Sequence, residues 1–172
     1  MVAGVRWAVM AAPIGPLALA VDDVGVCSVR FDGVPGGPLA GDLGGPLAGD
    51  PLLSAAADQL GAYFAGELTG FDLPLSVHGG SDFERRVWAE LARIPYGETR
   101  SYGQIAAALG DPGAARAVGI ANNRNRLPIL IPCHRVIGAD GKLVGFGGGL
   151  ARKRHLLELE ARVRVEREFA GQ

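Results

Sequence analysis

The sequence predicts an α+β protein of two domains, residues 1–78 and 79–172. Short apolar runs alternate with turn residues in the first part, which is typical of an antiparallel sheet, whereas apolar residues recur at helical spacing in the second. Residues 1–80 have two basic and eight acidic residues, and residues 81–155 have twelve basic and six acidic residues. We therefore expect that only the second part meets a polyanion, unless its arginines simply lie on a solvated face.

The first domain is predicted to contain a meander of three strands, a helix and an edge strand. These elements are expected at residues 5–10, 17–21, 24–31, 52–64 and 71–77. Residues 32–50 contain one heptapeptide twice and are rich in Gly and Pro, so they predict a flexible loop. Pro13 and Pro16 interrupt the apolar start, which favours strands over an export signal.

The composition argues against membrane, metal and disulfide classes. No run approaches the ~18 apolar residues of a membrane span, and two cysteines make at most one disulfide. The possible zinc ligands Cys27, His78, Cys133, His134 and His155 are dispersed along the chain, so no metal is expected. We expect a cytoplasmic protein, with His78 a surface residue in a linker.

The second domain opens with three predicted helices. A serine with a glutamate three residues later marks a helix start at residue 81, and Ser101 is suited to cap a helix over residues 102–109. A third helix, 114–121, follows a Gly-containing break, which is the outline of a helix-turn-helix. Its small residues and its one charge, Arg116, fit close approach to DNA, but ordinary helix packing fits the same pattern.

A thiol and an imidazole follow the next apolar run. Residues 127–131 predict a buried strand that is stopped by Pro132, and Cys133 and His134 come directly after it. A cysteine titrates near ~8.5, so the nucleophile needs a positive field, a base or a helix N-terminus. Adjacent side chains on an extended chain point to opposite sides, so His134 need not touch the thiol directly, and an intervening water would relax this geometry. A buried cysteine beside a structural histidine remains open at this point.

The last segments supply a carboxylate. A short strand is predicted over residues 143–146, and a final helix from Leu150 to about residue 163. Glu160 on this helix is suited to orient the imidazole, and the sequence does not select it over Glu158.

The pentapeptide Pro-Cys-His-Arg-Val at 132–136 resembles that of the O(6)-alkylguanine-DNA alkyltransferases, bacterial type. The flanks that carry the resemblance are Ala114-Ala-Arg-Ala-Val-Gly119, Asn125, Gly147-Gly-Gly-Leu150 and Glu160. It extends strongly over 81–162 and more weakly over the first half. It implies a small ribonuclease H-like α/β domain with an antiparallel sheet, followed by a mostly helical domain with the helix-turn-helix.

The resemblance also implies an activity. The alkyl group of O(6)-alkylguanine, and of O(4)-alkylthymine, in double-stranded DNA would pass once to Cys133 as a stable thioether, with no cofactor or metal. His134 would be the base acting through water, Glu160 its orienting partner, Tyr102 the proton donor to the departing guanine, and Asn125 a brace before the active-site strand. A monomer is expected, with cooperativity on DNA left open.

DNA contacts and a base pocket are carried over in the same way. The implied DNA-binding residues are Ser101, Ala114, Ala115, Arg116, Gly119 and Arg135. Arg116 would fill the gap left by the flipped nucleotide. The implied pocket residues are Val136, Phe146, Gly147 and Gly148. Phe146 and Gly147 stand where members often carry Tyr and Ser or Ala, and Arg126 where Pro is frequent, so the substrate range is in doubt.

Two other functions fit parts of the pattern. A non-catalytic sensor of alkyl damage is known among relatives in which the cysteine is replaced, and Cys133 argues against it. A thiol hydrolase that uses Cys133 and His134 would turn over repeatedly on an acyl substrate.

Overall fold

A computed structural model describes residues 4–31 and 49–171 of the chain. Backbone contacts group the chain into two compact units, Met1–His78 and Gly79–Gln172. The sheet of the first unit and the helices of the second confirm the predicted α+β class. The predicted loop over 32–50 lies almost wholly outside the described residues. Among the described helices, none has the length and apolarity needed to cross a bilayer.

The described residues of the first unit form a three-stranded antiparallel sheet and a helix of 14 residues. Its elements are β1 (Arg6–Met10), β2 (Leu17–Val21), β3 (Val26–Phe31) and α1 (Pro51–Phe64). The central strand β2 is buried along its whole length, and Asp50 caps α1 through the N–H groups of Leu52 and Leu53. The predicted edge strand over 71–77 is wrong as a full strand. Only a single bridge joins Leu75 to Val26, since Pro74 lacks an N–H donor.

Over residues 79–171, the second unit has four α-helices, two short 3-10 helices and two very short parallel strands. Its elements are α2 (Asp82–Leu91), β4 (Arg100–Ser101), α3 (Tyr102–Ala108), α4 (Ala115–Asn123), β5 (Val136–Ile137) and α5 (Leu150–Ala170). Capping boxes start both α2 and α3, as their sequences predict. A turn through Gly110, with a φ of 82°, leads from α3 towards α4, in the predicted order of a helix-turn-helix. The Trp88 indole N–H donates to the Ala121 carbonyl at 2.8 Å and ties α2 to α4.

Two predicted strands of this unit are wrong. Residues 127–131 form a buried turn in which the Ile131 N–H donates to the Leu127 carbonyl at 2.8 Å. Ile129 has a φ of 73°, a conformation that a β-branched residue adopts only under constraint from its surroundings. Residues 143–146 form no strand either. The last helix continues to Ala170 instead of ending near residue 163.

Candidate active site

A short 3-10 turn, Cys133–Arg135, presents the thiol between Pro132 and β5. The Cys133 N–H donates to the Ile131 carbonyl at 2.7 Å, and the Cys133 carbonyl accepts from the Asn122 side chain at 3.3 Å. Cys133 is only 4% exposed. The backbone of the nucleophile is thus held on both sides before any substrate arrives.

The thiol of Cys133 is neutral at neutral pH. Burial raises its pKa to about 11, although the Asn125 side chain, the Lys153 ammonium and the N–H groups of Cys133 and His134 oppose this increase. A neutral thiol is a weak nucleophile. The site therefore needs a proton acceptor when the reaction occurs.

His134 is the acceptor that the structure offers. Its side chain is fully buried, and its Nε2 lies 2.7 Å from Glu160 Oε2. Burial lowers the pKa of His134 in spite of the neighbouring carboxylate, so the imidazole is neutral and is assigned as donating Nε2–H to Glu160. The other nitrogen, Nδ1, is buried and has no hydrogen-bond partner within the described part of the chain. Glu158 is exposed, so the structure selects Glu160 as the orienting carboxylate.

Arg135 holds this carboxylate in place. Its Nε and Nη2 donate to the two oxygens of Glu160 at 2.8 and 3.0 Å, and its Nη1 donates to the Ile94 carbonyl at 2.7 Å. The Gly97 N–H adds a further bond to Glu160 at 3.1 Å. Burial raises the pKa of Glu160, but His134 and Arg135 lower it by more than this, so the pKa falls to about 2. The contact with DNA expected of Arg135 stays a prediction, and in this structure the guanidinium is buried against Glu160.

Asn125 spans the buried turn before the nucleophile. Its Nδ2 donates to the Ile131 carbonyl at 2.9 Å, and its Oδ1 accepts from the Leu127 N–H at 3.0 Å. Its side chain also opposes the rise that burial causes in the pKa of the Cys133 thiol. These contacts fit the predicted role of Asn125 as a brace before the nucleophile. The segment that it braces, residues 127–131, is a turn and not the predicted strand.

Tyr102 faces the loop after β5. Its hydroxyl donates to the Val144 carbonyl at 3.0 Å. A Cβ on Gly145 would lie 3.5 Å from the Tyr102 hydroxyl oxygen. Burial raises the pKa of Tyr102, and the charge of Cys133 raises it further, so the phenol keeps its proton. In the predicted pocket set, Val136 and Gly148 are buried, Phe146 is half-buried and Gly147 is exposed.

Lys153 is a site residue that the sequence analysis missed. It is fully buried, and its ammonium donates to the carbonyls of Val136, Val144 and Gly145, the last two at 3.0 and 3.4 Å. Burial lowers its pKa to about 8. The sequence signal for its burial is helical spacing. Lys153 lies three residues before Leu156 and seven before Glu160, so all three share the buried face of α5.

The predicted DNA-binding residues lie around α3 and α4. Arg116 is exposed in the first turn of α4, and Ala114 and Ala115 beside it are half-buried. A Cβ on Gly119 would lie 3.7 Å from the Tyr102 ring, an ordinary van der Waals distance, so Gly119 faces α3 at the point where α4 packs on it. Ser101 uses its hydroxyl to accept from the Gln104 N–H at 3.0 Å, as the cap of α3. No group of His, Cys, Asp and Glu suited to a metal occurs within residues 4–31 and 49–171.

Comparisons with known proteins identify the family of both parts of the chain. Residues 5–77 match the ribonuclease-like domain of 6-O-methylguanine DNA methyltransferase, and residues 82–162 match its DNA binding domain. A methylated-DNA--protein-cysteine methyltransferase of Methanosarcina acetivorans is 47% identical over 90% of this chain and 97% of its own. That of Mycobacterium tuberculosis is 66% identical over 62% of this chain, and the match spans 64% of its length, less than two thirds.

A solved structure has the same fold. Mycobacterium tuberculosis OGT in complex with DNA superimposes with a TM-score of 0.78 at 48% identity, over 92% of this chain and 94% of that one. The two family domains together cover most of the sequence. The chain therefore belongs to the 6-O-methylguanine DNA methyltransferase family.

Proposed function

We propose that the protein repairs DNA by transferring the alkyl group of O(6)-alkylguanine to Cys133, once per molecule. The observation that carries this proposal is the buried neutral thiol on a turn shared with a buried neutral imidazole, whose Nδ1 has no partner in the described residues. The relatives named as methylated-DNA--protein-cysteine methyltransferases support it. O(4)-alkylthymine is proposed as a second substrate.

The reaction is a displacement at carbon. A water passes the Cys133 proton to His134 Nδ1, the sulfur attacks the alkyl carbon, and the carbon–oxygen bond to guanine breaks. Tyr102 donates its proton towards the departing base, and Glu160 stabilises the imidazolium that forms. The thioether is a poor leaving group, so no second step restores the thiol. The protein is therefore consumed in the reaction.

The base must leave the duplex before the enclosed thiol can reach it. Arg116 is exposed at the start of α4, beside alanines that let the helix approach the DNA closely. We propose that its side chain occupies the space that the flipped nucleotide leaves. The basic composition of residues 81–155 supplies phosphate contacts.

The direct test is the mass of the protein after incubation with a duplex that contains one O(6)-methylguanine. We expect one added methyl on the peptide that contains Cys133, and none in Cys133→Ser. Binding without a change in mass would leave only the sensor. Repeated turnover of an acyl substrate, with an unchanged protein, would favour the thiol hydrolase.

The DNA part of the proposal has its own test in Arg116→Ala. We expect about tenfold slower repair of duplex DNA, since a flipped base is held less well, and an unchanged rate with free O(6)-benzylguanine. Both rates are followed by the mass of the Cys133 peptide. Equal losses on the two substrates would reject the finger role.

A further inference from the structure

Asn122 is a buried polar residue of α4 that the proposed reaction does not use. It is 1% exposed, and its Nδ2 donates to the Cys133 carbonyl at 3.3 Å. Its Oδ1 is also buried and accepts no hydrogen bond from the described part of the chain. A buried amide with an unused acceptor lowers the stability of a fold. A role beyond packing would explain why an asparagine stands here.

The contact with the Cys133 carbonyl fixes more than one atom. This oxygen and the N–H of His134 belong to one planar trans peptide and point in opposite directions. A side chain that holds the oxygen therefore also aims the N–H. The N–H groups of Cys133 and His134 oppose the rise that burial causes in the pKa of the thiol, and the Cys133 N–H also donates to the Ile131 carbonyl at 2.7 Å.

We propose that Asn122 is a positioning residue of the alkyl transfer. By holding the Cys133 carbonyl, it keeps the peptide between Cys133 and His134 turned so that the His134 N–H faces the sulfur as the thiolate forms. A donor that is already aimed at a developing negative charge stabilises it without reorganisation. Because Asn122 and Arg116 are on the same helix, α4 joins the exposed arginine directly to the backbone of the nucleophile. The inference deepens the proposed function at the same site.

The test compares two variants that remove the amide donor, Asn122→Leu and Asn122→Ala. The leucine side chain is larger than that of asparagine and the alanine side chain is smaller, so an effect of volume would differ between them. The rate at which iodoacetamide modifies Cys133 is measured against pH by the mass of its peptide, with Cys27 in the same digest as an internal reference. We expect the midpoint of Cys133 to rise by about one pH unit in both variants, which is about tenfold less thiolate at a given lower pH. The rate with free O(6)-benzylguanine should show the same shift.

The matched control is Gln59→Leu, which removes an amide that bonds the Asp72 backbone in the first unit. Its Cys133 midpoint should equal that of the unaltered protein. An unchanged midpoint in both Asn122 variants, or shifts of opposite sign that follow volume, would overturn the proposal. Thermal unfolding checks each fold, and Asn122→Ala decides alone if the leucine variant does not fold. A shifted midpoint in a protein that transfers no alkyl group would reject the proposed function and retain the positioning role.

Discussion

Each unit of the molecule contains one carboxylate paired with one imidazole at nearly the same distance. Asp22 Oδ2 lies 2.6 Å from His78 Nε2 in the first unit, and Glu160 Oε2 lies 2.7 Å from His134 Nε2 in the second. The His78 side chain is 50% exposed, whereas that of His134 is 0% exposed. The same pair of groups therefore stands in two very different environments.

The partners of the two pairs decide what each can do. Ser76 Oγ lies 2.9 Å from the same His78 nitrogen that faces Asp22, so the imidazole does not stand between hydroxyl and carboxylate as a catalytic triad requires. The Asp22 carboxylate is also bonded by the Val24 and Gly25 N–H groups, and the pKa of Asp22 is held low by His78 and then Ser76. This cluster fastens the end of the first unit. In the second unit, His134 Nδ1 has no hydrogen-bond partner among the described residues and can accept a proton.

The largest expected effect separates the two histidines. His134→Phe removes the proton acceptor, and we expect the rate with O(6)-benzylguanine to fall about a thousandfold, within the usual range for a general base. His78→Phe should leave that rate within about twofold, because its pair is not a proton relay. The mass of the Cys133 peptide over time measures both. A comparable loss in His78→Phe would erase the functional difference between the pairs.

The next effect concerns stability. Glu160→Gln leaves the buried Arg135 without a counter-charge, and we expect about 3 kcal/mol less free energy of unfolding. Urea unfolding followed by the fluorescence of Trp88 reports on this unit, and Trp7 reports on the other. Asp22→Asn should cost less, because the backbone bonds to its Oδ1 persist. A larger loss of free energy of unfolding in Asp22→Asn than in Glu160→Gln would contradict the assignment of the Glu160 pair as the more buried one.

The smallest effect is the response to acid. The pKa of Glu160 is lowered to about 2 in the folded state, so its stabilisation is present above the unfolded value of ~4.3 and is lost as the pH falls towards 2. The pKa of His134 is lowered too, so the unfolded chain takes up a proton first, below ~6.5.

The Trp88 transition should therefore weaken as the pH falls from ~6.5 to ~4.5. For Asp22, whose pKa is also lowered, the loss should begin only below ~3.9 and appear in the Trp7 transition. If the free energy of unfolding reported by Trp88 stays constant between pH ~6.5 and ~4.5, His134 is not buried in its neutral form.

Local patterns predicted much of this fold. The capping boxes at Ser81 and Ser101 are written in four consecutive residues, and both start a helix where expected. The set Cys133, His134 and Glu160 was predicted from a specific motif and its flanks. In the structure, His134 and Glu160 are hydrogen-bonded to each other. An apolar run such as 127–131 indicates burial, but it does not distinguish a strand from a turn stabilised by Asn125.

The residues that the sequence analysis missed depend on distant partners. Arg135 was expected to contact DNA from the family resemblance, whereas its partner in the structure is Glu160, 25 residues away. Lys153 is buried because carbonyls of a loop and of β5 converge on its ammonium. His78 was expected to be a plain surface residue, and its bond to Asp22 spans 56 residues. Such pairings become visible only when the chain is folded.

The most direct test of the account is the number of alkyl groups transferred per protein molecule in excess alkylated duplex. Under the proposed function, the thioether on Cys133 would be a poor leaving group, so transfer should stop at one group per molecule, all of it on Cys133. Continued release of alkyl product beyond one group would contradict single use. A plateau near zero with intact DNA binding would contradict alkyl transfer itself.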